Sequence, residues 1–197
     1  MINLSEEENP VNKNLRTLND NEIIYQIVKN GKKSYYVELI SRYHKKIIAK
    51  CYGLLKDHSL SKEFANDILS KAYEKLPDFQ GSSSFATWLY TIAYNHCIDF
   101  LRKKKRLHYP SWNNQNVIPE IIDEQEEDFT DLNYTRLIAI MDKIHPEEKA
   151  LILMKYQDGL SLKQIAIALQ ISESALKMRL KRAKSRILFL YKNSFGN

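Results

Sequence analysis

Between positions 107 and 133 the chain carries seven Asp or Glu and not one Lys or Arg, while the stretches on both sides are strongly basic. Residues 20–106 hold sixteen Lys or Arg against nine acids, and residues 160–197 hold eight against Glu173 alone. The acidic stretch also contains Pro110, Pro119, the polar run Asn113 to Asn116 and the cluster Asp123 to Asp128. Such a segment offers too little apolar surface to offset the entropy of folding, so it reads as a connector between two folded modules. Two basic modules flanking an acidic linker suggest two places that meet a polyanion; the bland alternative is a pair of Lys-rich solvated faces.

A length of 197 residues is compatible with one domain or two, and a hydrophobic content of 44% is that of a chain with a folded core. No apolar run approaches the roughly 18–20 residues that span a bilayer, and the start MINLSEEENPVNKN has no signal-like pattern. A cytoplasmic protein with no stable membrane insertion is expected. Cys51 and Cys97 lie far apart without CxxC spacing, so they read as core thiols rather than as a disulfide or zinc site. No metal or other cofactor is expected.

The expected fold is all-α: two small helical domains joined by the flexible acidic linker, the C-terminal one containing a helix-turn-helix. Residues 1–18 read as a flexible lead-in, 19–106 as the first domain, 107–130 as the linker and 131–193 as the second domain. In the first, Ile23, Ile24 and Ile27 mark a short helix that Asn30 and Gly31 end, and a second follows from about Ser34 to Leu55. A third helix, expected to start at a Ser61 cap and to end at Pro77, gathers Ala65, Ile68, Leu69, Ala72, Tyr73 and Leu76 on one side. Its opposite side collects Glu63, Asn66, Asp67, Ser70 and Glu74. A fourth helix should run from about Phe85 to Lys105, with Phe85, Leu89, Ile92, Ala93 and Phe100 buried. Beside them lies a polar stripe of Trp88, Thr91, Asn95, Asp99 and Arg102. An Asn amide can hydrogen-bond a base edge and an aromatic ring can stack on an unpaired base, which are the groups that bind single-stranded nucleic acid; for Trp88, Tyr90 and Tyr94, each taken singly, ordinary packing is the better reading.

In the second domain Leu137, Ile140, Met141 and Ile144 belong to one helix, Pro146 opens the next and Gly159 ends it. Leu160 to Tyr191 then has the form of a helix-turn-helix. Leu162, Ile165, Ala166 and Leu169 make the inner face of its first helix, Ser172 caps the second, and Leu176, Leu180, Ala183 and Ile187 form the buried stripe of that second helix. Ser174, Met178, Lys181, Arg182 and Ser185 fall opposite, where a recognition helix reads the major groove, with Lys177 at the margin suited to phosphate.

The stretch QGSSSFATWLYTIAYNHCIDFLRKKKR resembles the promoter-melting helix of the extracytoplasmic-function sigma factors, small members of the sigma-seventy family of bacterial RNA polymerase. SKEFANDILSKAYEKLPDF is similar to that family's core-polymerase-binding helix, and HPEEKALILMKYQDGLSLKQIAIALQISESALKMRLKRAK to its fourth region. The resemblance covers about residues 20–106 and 131–190 in the family's order. It implies that Glu63, Asn66, Asp67 and Ser70 bind core polymerase. For the minus-ten element it implies Phe79, Gln80, Gly81, Ser82, Ser83 and Ser84, together with Trp88, Thr91, Asn95 and Arg102. For the minus-thirty-five duplex it implies Ser174, Lys177, Met178, Lys181, Arg182 and Ser185. The partners implied are core RNA polymerase, promoter DNA and an anti-sigma factor; no catalytic residue is implied. Three departures stand out: Gln170 where the turn commonly has glycine, and Ala175 and Met178 where hydroxyl residues are usual, which bear on the promoter sequence read. Two other classes compete. A stand-alone helix-turn-helix regulator needs no melting helix, and a nucleic-acid enzyme needs a phosphate loop, metal triad or activated nucleophile that the sequence lacks.

Overall fold

The computed structural model describes residues 15–105 and 133–195; residues 1–14 and 106–132, which include the linker, lie outside the described residues. The described elements are helical and no strand occurs among them, in agreement with the all-α expectation. The chain divides into two compact units between Ala93 and Tyr94.

In the first unit α1 (Asp20–Val28) begins at a capping box: the Asn19 side chain accepts from the Glu22 N–H at 3.0 Å, and the Asn19 N–H donates to the Glu22 carboxylate at 2.7 Å. Ile23, Ile24 and Ile27 are its buried face. A 3₁₀ turn (Lys33–Tyr35) leads into α2 (Tyr36–Leu55), which buries Leu39, Tyr43, Ile47, Cys51 and Leu54 and packs against α3 (His58–Lys75). The cap of α3 corrects the sequence reading. Asp57, not Ser61, is the N-cap, accepting from the Leu60 N–H at 3.0 Å. Ser61 sits fully buried one turn inside, its hydroxyl bonded back to the Asp57 carbonyl at 2.5 Å. Residues 15–18, placed in the lead-in by sequence, are anchored: Leu15 is buried, and the Arg42 guanidinium donates to the carbonyls of Leu15, Arg16 and Leu18. Arg42 also pairs with Asp20 at 2.9 Å and Glu38 at 2.8 Å. Burial works against that cation, but the hydrogen bonds from Glu38 and Asp20 outweigh it and hold the guanidinium above its ordinary range.

The helix α4 (Phe85–Lys105) belongs to the first unit through Ala93 and to the second from Tyr94 onward. Phe85, Leu89 and Ala93 are buried as expected, whereas Ile92 and Phe100 are only half-buried; Tyr94, Cys97, Ile98 and Leu101 are buried as well.

The second unit continues with α5 (Tyr134–Met141), α6 (Pro146–Ile152), a π-helical turn (Leu153–Gln157), α7 (Leu162–Leu169) and α8 (Glu173–Phe195). Pro146 takes the first helical position of α6, where its missing N–H is no loss, and the His145 ring and Glu148 side chain form a capping box there. Ser161 and Gln164 do the same for α7. The long α8 contacts α5, α6 and α7, burying Leu176, Leu180, Ala183 and Ile187, the stripe expected from sequence. Between α7 and α8 the backbone turns through Gln170 in the left-handed conformation, at φ +54°.

Candidate nucleic-acid interface

Helix α3 presents Glu63, Asn66, Asp67 and Ser70 to solvent because Phe64, Ala65, Ile68, Leu69 and Ala72 occupy its inner side. Among the described residues no three His, Cys, Asp or Glu stand together as a possible metal site. Asn66 shares a hydrogen bond of 3.0 Å with the ring of His44 on α2, which fixes the amide beside the two carboxylates.

The loop leading to α4 follows a 3₁₀ turn (Leu76–Asp78) and is organised by aromatic rings. Phe79 lies 6.0 Å from Phe85 and 5.3 Å from Trp88, ring centre to ring centre, and Phe85 also meets Tyr43 at 5.3 Å. Gln80, Ser82 and Ser84 are exposed and Ser83 half-buried, while Gly81 takes φ +69°, a conformation that side-chain-bearing residues avoid. Ser84 has a structural role that sequence reading missed: it caps α4, accepting from the Thr87 N–H at 3.1 Å. Thr91 points its hydroxyl back at the Thr87 carbonyl, 2.9 Å away. Trp88 is half-buried, with its ring partly open beside Phe79.

The remaining two candidates on α4 fall in the second unit, and both are engaged. The Asn95 amide donates to the Ala168 carbonyl at 3.1 Å, and Arg102 donates to the Glu147 carboxylate at 2.5 Å. The hydrogen bond to Glu147 is the main reason that the Arg102 guanidinium is held above its ordinary range. Tyr94 joins them, donating to the Asp158 carboxylate at 2.8 Å. No periodicity in a single sequence announces these partners, which stand 45 to 73 residues away.

On α8 the outer side carries Ser174, Lys177, Met178 and Lys181 exposed, with Arg182 and Ser185 half-buried. Ser172 accepts from the Ala175 N–H at 3.2 Å as the N-cap, and its hydroxyl meets that of Ser174 at 3.1 Å. The Ser185 hydroxyl bonds the Lys181 carbonyl. The helix thus displays two adjacent cations, Lys181 and Arg182, and the exposed thioether of Met178 on the side away from its buried apolar stripe.

No helix among the described residues is long and apolar enough to cross a membrane. Comparison with known proteins bears on both units. The family described as Sigma-70 region 2 matches residues 39–107, and that described as Sigma-70, region 4 matches residues 134–187. Among solved structures the chain is similar to the sigma factor RpoE in its complex with the anti-sigma factor NepR from Bartonella quintana. There the identity is 19%, coverage is 80% of this chain and 96% of that one, and the TM-score is 0.56. It is likewise similar to CnrH in complex with the cytosolic domain of CnrY, at 19% identity, 88% and 97% coverage and a TM-score of 0.58. No curated protein sequence matches it. With sigma-70 regions 2 and 4 matched in that order over most of its described length, the chain belongs to the sigma-70 family of RNA polymerase sigma factors.

Proposed function

We propose that the protein directs core RNA polymerase to its promoters through three separate faces and contributes no chemistry of its own. The exposed stripe Glu63, Asn66, Asp67 and Ser70 on α3 docks on core polymerase, where carboxylates meet a basic partner surface. The loop Phe79 to Ser84 with Trp88, Thr91, Asn95 and Arg102 takes the unpaired minus-ten strand by stacking and amide hydrogen bonds. Ser174, Lys177, Met178, Lys181, Arg182 and Ser185 hold the minus-thirty-five duplex. The observation carrying this reading is that α3 and α8 each bury one apolar face and leave a polar face open, negative on the first and positive on the second. The reading takes 19–106 and 131–193 as the two functional domains, on either side of the acidic linker.

We further infer that it works in the cytoplasm, where the polymerase is, and that an anti-sigma factor restrains it. What supports the second point is the fold shared with two sigma factors whose solved complexes hold the anti-sigma factor NepR or the cytosolic domain of CnrY.

Run-off transcription with purified core polymerase on fragments of the source genome tests the reading. Promoter-specific transcripts that require the protein are expected. Within that assay Asn95→Ala should weaken open-complex formation by about 1–3 kcal/mol, as loss of a good base contact does. Equal open-complex formation by Asn95→Ala and parent would remove Asn95 from the site.

A further inference from the structure

Where the open stripe of α3 borders α2, a histidine outside the stripe takes hold of one of its members. His44, half-buried on α2, brings its ring Nε2 to 3.0 Å from the amide oxygen of the exposed Asn66, 22 residues away in sequence. A ring nitrogen that meets an oxygen at this distance carries the hydrogen, so Nε2–H donates and Asn66 Oδ1 accepts. The imidazolium supplies this donor, and so does the neutral ring protonated at Nε2. The contact thereby decides which end of the amide is left over. Oδ1 is held at α2, and Nδ2 with its two hydrogens is the end open to solvent. Turned through half a rotation, the amide would set its own N–H against the ring N–H, donor against donor.

The neighbours of Asn66 make its orientation matter. Glu63 stands three residues before it and Asp67 directly after it, both exposed, and ionised carboxylates only accept. With the amide reversed, the three side chains would offer acceptors alone, which suit any cationic surface. With the amide as His44 holds it, they offer two acceptors and a fixed donor. Such a face asks its partner for an acceptor beside the cations, which is a narrower demand than positive charge.

We propose that His44 is a positioning residue for polymerase docking: it holds Asn66 with its donors outward, toward a surface of core RNA polymerase that sets a carbonyl or amide oxygen beside two cations. The inference rests on the reading of α3 as the docking face. Holding the amide in advance removes side-chain freedom that binding would otherwise have to remove. Charge and pattern make opposite demands of Asn66→Asp. The aspartate keeps an acceptor for His44 and adds a negative charge, so a partner that reads charge alone binds it more tightly. A partner that needs the donor binds it more weakly, because two acceptors then face each other.

The test measures the affinity of the full chain for purified core RNA polymerase, by competition with fluorescently labelled parent. The proteins are the parent, His44→Ala, His44→Gln, Asn66→Ala, His44→Ala with Asn66→Ala, Asn66→Asp, and Glu63→Lys with Asp67→Lys, each checked for fold by circular dichroism. His44→Ala should bind about three- to tenfold more weakly than the parent, the cost of ordering one side chain at an interface. His44→Gln, whose amide nitrogen stands in for Nε2–H, should recover most of that loss. Added to Asn66→Ala, His44→Ala should cost nothing further, an outcome that a histidine acting on the fold alone would not give. Asn66→Asp should bind about tenfold more weakly or worse. Parent-like binding by His44→Ala, an equal cost of His44→Ala with and without Asn66, or an Asn66→Asp protein that binds as tightly as the parent would each overturn the positioning role. Any of these, with binding lost in Glu63→Lys with Asp67→Lys, leaves the docking face standing without His44. Normal binding by the charge-reversed protein overturns both. If His44→Ala fails to fold, Asn66→Asp decides alone: weaker binding than the parent supports the proposal, and equal or tighter binding overturns it.

Discussion

The first unit assembles long helices through apolar and aromatic faces, and Ser61 is its buried polar side chain apart from tyrosines among the described residues; the second, made of shorter helices around α8, buries Glu147, Glu148 and Lys149 at the start of α6. These charges are compensated locally. Glu148 closes the capping box on the His145 N–H and stands 3.5 Å from the Arg186 guanidinium, Glu147 meets Arg102, and Lys149 reaches Asp142 at 2.6 Å. The contrast teaches where each unit is vulnerable. A cavity is the principal hazard in the first, an unmatched charge in the second.

The largest expected effect breaks the charge arrangement. Glu148→Ala removes the carboxylate facing Arg186 and the acceptor of the cap together, and should destabilise the second unit by about 3 kcal/mol. Glu148→Gln keeps an acceptor for the cap and should cost distinctly less. In the first unit Ile68→Ala, at a fully buried position, should cost a similar amount, about 2–5 kcal/mol, by leaving a cavity. The two losses differ in pH dependence. Burial, partly opposed by Arg186, holds the Glu148 carboxyl above the usual carboxylate range, so the folded state keeps this proton more tightly than the unfolded state does. That contribution to stability is therefore full below the ordinary Glu range and declines as pH rises from there through the raised folded value. Hydrogen exchange resolved by unit, between about pH 4 and pH 7, should show this decline in the second unit of the parent and its loss in Glu148→Gln. A parent and a Gln variant with the same pH profile would show that Glu148 is not the titrating group.

Next in size is the difference between the two exposed faces. Charge reversal at Glu63 and Asp67 places like charges against a basic partner and should weaken core-polymerase binding by several kcal/mol, leaving duplex affinity of the C-terminal helices unchanged. Lys181→Ala with Arg182→Ala should do the converse: core binding persists, and discrimination between matched and scrambled minus-thirty-five duplexes falls by about 1–3 kcal/mol. The salt dependence of duplex binding should flatten as well, by about one unit of slope for every phosphate that no longer meets a cation. Pull-down on core polymerase and duplex titration at several salt concentrations read both. If either substituted pair keeps the property assigned to its face, that face is misassigned.

How far the sequence carried these assignments depends on the range of the interaction. Helical periodicity is local, so the extent of α4, the buried stripe of α8, the Ser172 cap and the open stripe of α3 were all legible. Competing local signals misled at α3: Ser61 is a good cap type, but Asp57 four residues earlier takes the role and leaves the serine hydroxyl to bond back within the helix. Likewise Ser84, assigned by the resemblance to the minus-ten strand, is also the cap of α4. Interactions between distant segments were not legible at all. Nothing in the spacing links Arg42 to the carbonyls of residues 15–18, or Asn95 to Ala168, because such pairings depend on tertiary packing and not on a repeat.

The smallest expected effect concerns the two chain reversals of the second unit. Gly159 and Gln170 both follow helical segments with the backbone at positive φ, +66° and +54°, yet only the first uses the residue that tolerates it without cost. A Cβ built at Gly159 meets nothing within 4 Å, so a substitution there reports backbone preference alone. Gly159→Ala should therefore cost about 1 kcal/mol. At Gln170 the exchange runs the other way: Gln170→Gly relieves a left-handed side-chain-bearing residue of about 1 kcal/mol, while the added freedom of glycine in the unfolded chain opposes this by about 0.4–1 kcal/mol. A net gain of a few tenths of a kcal/mol is expected, about 1–3 °C in the melting temperature of a unit of this size. Both substitutions lie outside the faces proposed for DNA and for polymerase, so minus-thirty-five discrimination should stay with the parent. Differential scanning calorimetry of the parent and the two variants makes the measurement. A lowered melting temperature for Gln170→Gly would mean that the Gln170 side chain contributes to the turn beyond its backbone conformation.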